Sequence, residues 1–173
     1  MKKICLILLA MLLLSGCSRK DVLETVSDAV DTPVSGSLKR IQLQLPPELS
    51  TPVLESEETG TLYMCDTYSL TLQTALSGDL KKTILDTIGL DQESLEIIET
   101  RRGDAKCYQW VWTANSETGT QIGRACVLDD GTYHYILTAL AEEEFGSEVR
   151  PQWREIFASF SLATEKEPVN TGS

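Results

Sequence analysis

The pattern of apolar and polar positions predicts that the folded part of the chain begins with strands. Residues 41–45, Ile-Gln-Leu-Gln-Leu, alternate strictly between apolar and polar side chains, which is typical of a half-buried strand. Residues 62–72 are rich in aromatic and branched side chains and indicate one or two further strands. Residues 95–100 return to the same strand-like character.

A helix is predicted between these strands. Leu80, Ile84 and Ile88 recur every four residues and therefore fall on one face of a helix. Asp79 just before them and Gly89 just after them are common start and stop signals of a helix. We therefore expect a short amphipathic helix at this point of the chain.

Three hairpin-like segments follow. Each joins a turn rich in polar residues and glycine to a strand-like run, and the turns lie at 101–104, 116–119 and 129–131. Asp129-Asp-Gly is a strong turn signal, because glycine supplies the positive φ that a tight hairpin needs. The chain is thus expected to form a meander of about four strands.

The last predicted element is a second helix. Large apolar side chains recur there at helical spacing, at Trp153, Ile156, Phe157 and Phe160. Pro151 near the start is tolerated, because early helical amides lack partners in any case. The whole order predicts an α+β fold, a single domain in which an antiparallel β-sheet is packed with helices.

The beginning of the chain has a different pattern. Lys2 and Lys3 precede an apolar run over 4–14, as in a secretory signal peptide, and the run is shorter than the about 20 residues of a spanning helix. Leu14-Ser-Gly-Cys17 then resembles the bacterial lipobox, in which the cysteine thiol receives a diacylglyceryl group and the chain is cut before it. The resemblance implies that Cys17 is lipidated; the alternative is a plain signal peptide with a chance cysteine.

These patterns divide the chain into four predicted segments. They are a lipoprotein signal peptide at 1–16, a lipid anchor and flexible tether at 17–37, a folded domain at 38–163 and a polar tail at 164–173. The apolar acyl chains of Cys17 would hold the protein at the extracytoplasmic face of a cell membrane without spanning it.

The folded segment also resembles a known family. Its element order, together with the terminal Trp-x-x-Ile-Phe-x-Ser-Phe run at 153–160, is similar to the PsbP-like family, which includes photosystem II subunits, a Ran-binding factor and many bacterial lipoproteins. The resemblance implies a PsbP-like α/β/α sandwich over 38–163 and a non-catalytic binding or assembly role. It transfers no functional residue to this chain.

The charge balance narrows the range of partners. The chain has 15 Lys and Arg against 26 Asp and Glu, a net charge of −11. The predicted leader holds two lysines and no acids, so the mature part is near −13. Such a surface repels nucleic acid and anionic lipid head groups, and we expect no nucleic-acid partner.

The cysteines leave one question open. Besides Cys5 in the leader and the predicted lipidation site, the chain has Cys65, Cys107 and Cys126, and no Cys-x-x-Cys motif. Cys107 and Cys126 flank the turn at 116–119. They are cross-strand partners if the two residue numbers of every pair sum to 233. If the register is shifted by one residue, Cys107 faces Val127 instead. The sequence does not choose between these registers, and the balance is against a disulfide.

Candidate catalytic and metal-binding groups are sparse. His134 is the only histidine, so any Ser-His-Asp or Cys-His pair would need it. It reads as a mid-strand residue on a polar face, opposite to Tyr133 and Tyr135. The acidic runs at 129–130 and 142–144 lack the spacing of a calcium loop and are better explained as a turn and a solvated segment. We therefore expect no catalytic residue, no metal site and no cofactor.

The aromatic face of Tyr108, Trp110 and Trp112 is the most informative remaining feature. Three large rings on one side of a strand usually form core beneath a helix, for which Trp153 and Phe157 are candidate partners. The functional interpretation is a candidate ligand or partner face, since Trp and Tyr are enriched in interface hot spots.

The sequence as a whole predicts a lipid-anchored extracytoplasmic protein that is not an enzyme. It would act as a binding or assembly accessory factor of the cell envelope, with the membrane and an envelope protein as partners. One alternative is a solute-binding lipoprotein with an aromatic pocket. A further one, an envelope hydrolase, would need His134 or an acid pair in a pocket.

Overall fold

The computed structural model describes residues 36–56, 60–117 and 119–163. The predicted signal peptide at 1–16, Cys17 and the tail at 164–173 lie outside these residues, as does nearly all of the tether at 17–37, so these assignments stay predictions. Among the described residues, no helix combines the length and the apolar character needed to cross a membrane.

The described elements follow the predicted order. In chain order they are β1 (Ile41–Gln42), β2 (Leu54–Ser56), β3 (Gly60–Met64), β4 (Ser69–Leu76), α1 (Leu80–Ile88), β5 (Ile98–Arg102), β6 (Ala105–Ser116), β7 (Gly119–Asp129), β8 (Tyr133–Glu142), α2 (Gly146–Ser159) and β9 (Ser161–Leu162). Single 3₁₀ turns lie at Pro47–Leu49, Gln92–Ser94 and Glu143–Phe145.

Seven strands form one antiparallel sheet in the spatial order β2-β3-β4-β8-β7-β6-β5, while β1 and β9 pair separately. The long strands β6, β7 and β8 lie side by side, because each is joined to the next by a tight hairpin. The predicted α+β single domain with an antiparallel sheet and packed helices is confirmed.

The two helices lie on opposite faces of the sheet, because successive strand side chains point to opposite sides. On one face, Ile84 of α1 packs with Trp110, Ala125, Val127 and Ile136. On the other face, the apolar stripe of α2 packs on a second set of strand residues, which includes Cys107, Cys126, Leu128, Tyr135 and Leu137. The sheet is therefore the middle layer between two hydrophobic cores.

The short helix α1 begins and ends at the signals present in the sequence. The Asp79 side chain accepts a hydrogen bond from the backbone amide of Lys81 at 3.0 Å, which caps the helix. Gly89 adopts φ 71° and donates its amide to the Leu85 carbonyl, which ends it.

The predicted partners of the aromatic face are wrong. Tyr108, Trp110 and Trp112 pack toward α1, whereas Trp153 and Phe157 of α2 lie in the core on the other side of the sheet. The reason is that the sheet is covered on both sides, so each helix meets a different set of alternate residues.

The Trp112 ring also explains why a glycine, Gly123, occupies the middle of β7. Trp112 and Gly123 stand opposite each other in the β6–β7 pair. A Cβ at residue 123 would lie only 2.2 Å from Cζ2 of the Trp112 ring. The indole therefore lies directly over the glycine, and no larger residue fits beneath it.

Candidate functional site

A groove opens between α2 and the strands β6 and β7, with a volume of about 310 Å³. We call it the arginine groove and define it by six of its lining residues, Val111, Ile122, Arg124, Arg150, Trp153 and Arg154. It lies on the α2 side of the sheet, away from the aromatic face. A smaller hollow of about 260 Å³, lined in part by Ile98, adjoins it and shares Val111 and Arg124.

The apolar floor of the groove results from incomplete cover of the sheet. β5 pairs with residues 105–109 of β6 and extends no further along that strand. Val111 lies just beyond this limit and is 68% exposed, and Ile98 at the start of β5 is 59% exposed. Two branched apolar side chains thus face solvent beside the helix.

Arg124, which lines the groove, is held in place by two contacts. Its guanidinium donates a hydrogen bond to Oε1 of Gln109 at 3.2 Å and lies 4.7 Å from the ring centre of Phe157. Burial lowers the pKa of Arg124, the nearby Cys126 opposes this change, and the positive charges of Arg102 and Arg154 lower the pKa further. Arg124 is thus a half-buried cation whose neighbours repel its charge.

Arg150 and Arg154 extend the positive charge along one turn of α2. At the start of α2, Gly146 packs closely on β7, since a Cβ there would lie 3.2 Å from Ile122 Cδ1. Within the described residues, no carboxylate lies at ion-pair distance from Arg124, Arg150 or Arg154. The groove is therefore an electropositive site on a protein whose net charge is −11.

The sequence interpretation missed this groove. The signal that was present is the four-residue spacing of Arg150 and Arg154, which places both on one face of the predicted helix. Nothing local relates these two residues to Arg124, which belongs to a strand and becomes their neighbour only when α2 packs across β7.

His134 lies in the opposite core and is 1% exposed. Its Nδ1 is 2.8 Å from Oγ1 of Thr83 on α1, and its Nε2 is 3.4 Å from Oγ of Ser77. Ser77 donates its hydroxyl to Asp129, whose other oxygen is 3.9 Å from the same Nε2. The expected polar face is wrong, because α1 covers this residue.

This arrangement of Ser77, His134 and Asp129 differs from a catalytic triad. In a triad the carboxylate binds the ring nitrogen that does not contact the nucleophile, whereas here Asp129 and Ser77 approach the same nitrogen. Thr83 occupies the other nitrogen. Burial lowers the pKa of His134, partly offset by the Asp129 and Asp130 charges, so the imidazole is neutral near pH 7.

Cys107 and Cys126 are diagonal neighbours on the α2 side of the sheet. Cys107 pairs with Leu128 and Gln109 pairs with Cys126, so the register lies beyond both registers considered from the sequence. The two thiols are free and fully buried, and their sulfurs are 3.5 Å apart. The hydrogen bond between the two thiols lowers the pKa of Cys107, and the same bond together with burial raises the pKa of Cys126.

The other predicted residues occupy less enclosed positions. Trp110 is 3% exposed, whereas Tyr108 and Trp112 are half-buried at the edge of the α1 core. Glu143 and Glu144 are exposed in a shallow acidic hollow. In the part of the chain that the structure describes, no three His, Cys, Asp or Glu side chains converge as metal ligands would.

Comparison with known proteins shows the fold. No protein-family model matches the sequence, and no curated protein matches it. LpqN, a protein involved in cell envelope biogenesis of Mycobacterium tuberculosis, is similar in structure, with a TM-score of 0.50 and 11% sequence identity over 75% of this chain and 88% of LpqN. A Bacteroides thetaiotaomicron protein has a TM-score of 0.50 and 10% identity over 73% of this chain and 46% of its own.

At such low identity these similarities concern the fold alone. LpqN and this chain therefore share a fold, and the similarity assigns no role to the residues of the arginine groove.

Proposed function

We propose that this protein is a lipid-anchored, extracytoplasmic binding protein that serves as a non-catalytic accessory or assembly factor of the cell envelope. The observation that carries the proposal is the arginine groove, an open concave site with fixed charge and exposed apolar floor. Concave sites with a few convergent polar groups on an apolar lining are typical of ligand binding.

The side chains of the groove favour binding over catalysis. Arginine stays protonated at any ordinary pH and offers donors only, so it holds an anion but does not exchange protons with it. The titratable group most suited to acid–base work, His134, lies across the sheet beneath α1. A hydrolase is therefore the weaker hypothesis.

The predicted lipid anchor and the net negative charge suggest how the domain is positioned relative to the membrane. Lipid on Cys17 and the tether at 17–37 would hold the domain near the membrane, and its negative surface would keep it off anionic head groups. The partner is an envelope protein rather than a nucleic acid. We also propose that the folded domain is PsbP-like. The involvement of LpqN in cell envelope biogenesis is compatible with the proposed accessory role.

A small-ligand role is the second candidate. The groove volume of about 310 Å³ is at the lower end of the range for ligand sites, which is about 300–1,000 Å³. This role would use the arginine groove, since Trp110 of the aromatic face is closed off by α1.

The test is cross-linking on whole cells with the native, lipidated protein. We expect an envelope protein to be captured by the anchored form and not by the Cys17→Ala variant. Capture that does not exceed background with the anchored form would refute the accessory role. Membrane association of the Cys17→Ala variant would refute the lipid anchor.

A further inference from the structure

We propose that the arginine groove binds a single-chain amphiphile with an anionic head group, such as a carboxylate or a phosphate. The head group would lie between Arg124, Arg150 and Arg154, and the chain would lie along Val111 toward Ile98. This inference rests on the proposed binding function and names the chemistry of its ligand.

The head-group site carries positive charge without an ion-paired carboxylate among the described residues. Arg124 is fixed by Gln109 and Phe157, so it is oriented before any ligand arrives. Its charge is repelled by Arg154, and a bound oxyanion would relieve that repulsion. Guanidinium groups bind carboxylates and phosphates through paired, charge-assisted hydrogen bonds, which suits them to this role.

The negative charge of the whole protein does not prevent this binding. At physiological ionic strength, charges farther apart than about 8 Å are largely screened from each other. A small anion inside the groove is therefore governed by the arginines beside it. A broad anionic surface, such as a bilayer, would instead meet the acidic surface of the domain, so a free amphiphile fits better than a head group still embedded in a membrane.

The site for the alkyl chain consists of exposed apolar residues. Val111 and Ile98 are both more than half exposed on the sheet surface that α2 leaves open. The hollow of about 260 Å³ beside Ile98 continues from the groove through Val111 and Arg124. An inorganic anion would leave these residues in water, whereas an alkyl chain would cover them and gain about fourfold in affinity for each methylene buried.

The experiment is calorimetric titration of the Cys17→Ala chain, which carries no lipid of its own, with dodecyl phosphate below its micellar concentration. Inorganic phosphate, dodecyl maltoside and phosphatidylglycerol vesicles serve as comparison probes. We expect dodecyl phosphate to bind at least about tenfold more tightly than each soluble probe, and the vesicles not to bind.

Paired variants locate the site. Arg150→Gln combined with Arg154→Gln should weaken dodecyl phosphate binding by about tenfold. The control is Arg40→Gln combined with Lys106→Gln, which changes the net charge equally at two exposed positions outside the groove and should leave the affinity within about twofold. Val111→Asn should weaken dodecyl phosphate but leave inorganic phosphate unchanged.

Several outcomes would overturn the inference. Equal affinity for inorganic phosphate would mean a simple anion site, and equal affinity for dodecyl maltoside would mean an apolar site without charge selection. Equal loss in the groove and control variants would place binding elsewhere, and tight binding to vesicles would identify the membrane as the source of the anion. If dodecyl phosphate fails while whole-cell cross-linking still captures an envelope protein, the ligand class is wrong and the accessory function stands.

Discussion

Trp110 and Val111 are neighbours on β6, yet Trp110 is 3% exposed and Val111 is 68% exposed. Their side chains point to opposite faces of the sheet, and the faces are covered differently. On the α1 side, large aromatic rings fill the space beneath a short helix. On the α2 side, a longer helix packs over Cys107 and Cys126 and leaves the far part of β6 open.

The two faces of the sheet differ in how completely a helix covers them. The α1 core is closed, and its polar residue His134 is bonded to Thr83 of the covering helix. The α2 core is closed at its centre but borders a charged groove with exposed apolar residues. Substitutions on the two sides should therefore differ in whether they affect folding or binding.

The largest expected effect is that of Trp110→Ala. Removing the buried indole should lower the free energy of unfolding by about 3–5 kcal/mol, because it leaves a cavity beneath α1. The matched change at the next position, Val111→Ala, should stay within about 0.5 kcal/mol, since its side chain is solvated. Urea unfolding followed by tryptophan fluorescence and circular dichroism measures both.

Trp110→Phe is a milder substitution that can be measured if Trp110→Ala does not fold. Its loss should lie between those of the other two variants, because the smaller ring fills part of the cavity. If Trp110→Ala were as mild as Val111→Ala, the two faces would not differ as described.

Gly123→Ala should have the next largest effect. The added methyl group would meet the Trp112 ring and force it away, at a cost of about 1–3 kcal/mol. Gly78→Ala is the control, since a Cβ at residue 78 meets nothing within 4 Å. Thermal unfolding should show a clear loss of Tm for Gly123→Ala and little change for Gly78→Ala; equal changes would contradict the placement of the ring.

A smaller effect is expected from the titration of His134. Its pKa is lowered by burial in the folded state, so the unfolded chain takes up the proton more readily. The stability contributed by the neutral imidazole should be complete above the ordinary pKa of 6.5 and be lost as the pH falls from there through the lowered folded value.

The measurement is the urea midpoint between pH 7.5 and 5 for the wild type and for His134→Gln. The wild type should lose stability faster than the variant on the acid side of about 6.5. Parallel curves would mean that His134 does not titrate differently in the two states.

The smallest effect on stability is expected from Arg150→Gln combined with Arg154→Gln. Both side chains are exposed and lack an acidic partner among the described residues, so the free energy of unfolding should change by less than about 0.5 kcal/mol. A loss above about 1 kcal/mol in urea unfolding would make the groove a structural feature of the α2 face rather than a binding site.

Local patterns were sufficient for most of the elements. The spacing of Leu80, Ile84 and Ile88 between Asp79 and Gly89 determined α1, and the turn signals at 101–104, 116–119 and 129–131 determined the hairpins of the meander. The strict alternation at 41–45 predicted too long a strand, since only Ile41–Gln42 form β1, which pairs with β9 outside the seven-stranded sheet. These signals are local, because capping bonds and the periodicity of one helix face or one strand face depend on residues close in sequence.

Local patterns did not determine the pairing register of β6 and β7. β6 and β7 meet at Ser116 and Gly119, where the Ser116 hydroxyl donates to the Gly119 carbonyl at 2.9 Å. This connection moves every pair in the hairpin beyond the two registers considered and places Cys107 and Cys126 on the same face. A pairing error of one residue exchanges faces, so the turn geometry, rather than composition, decides which side chains meet.

The sequence by itself determined the order of elements, the α+β class, the charge balance and the amphipathic stripes of both helices. Only the tertiary structure decided which helix covers which face, how His134 is enclosed, and that Arg124, Arg150 and Arg154 converge. These properties depend on contacts between residues far apart in the chain, and such contacts exist only after the two helices have packed on opposite sides of the sheet.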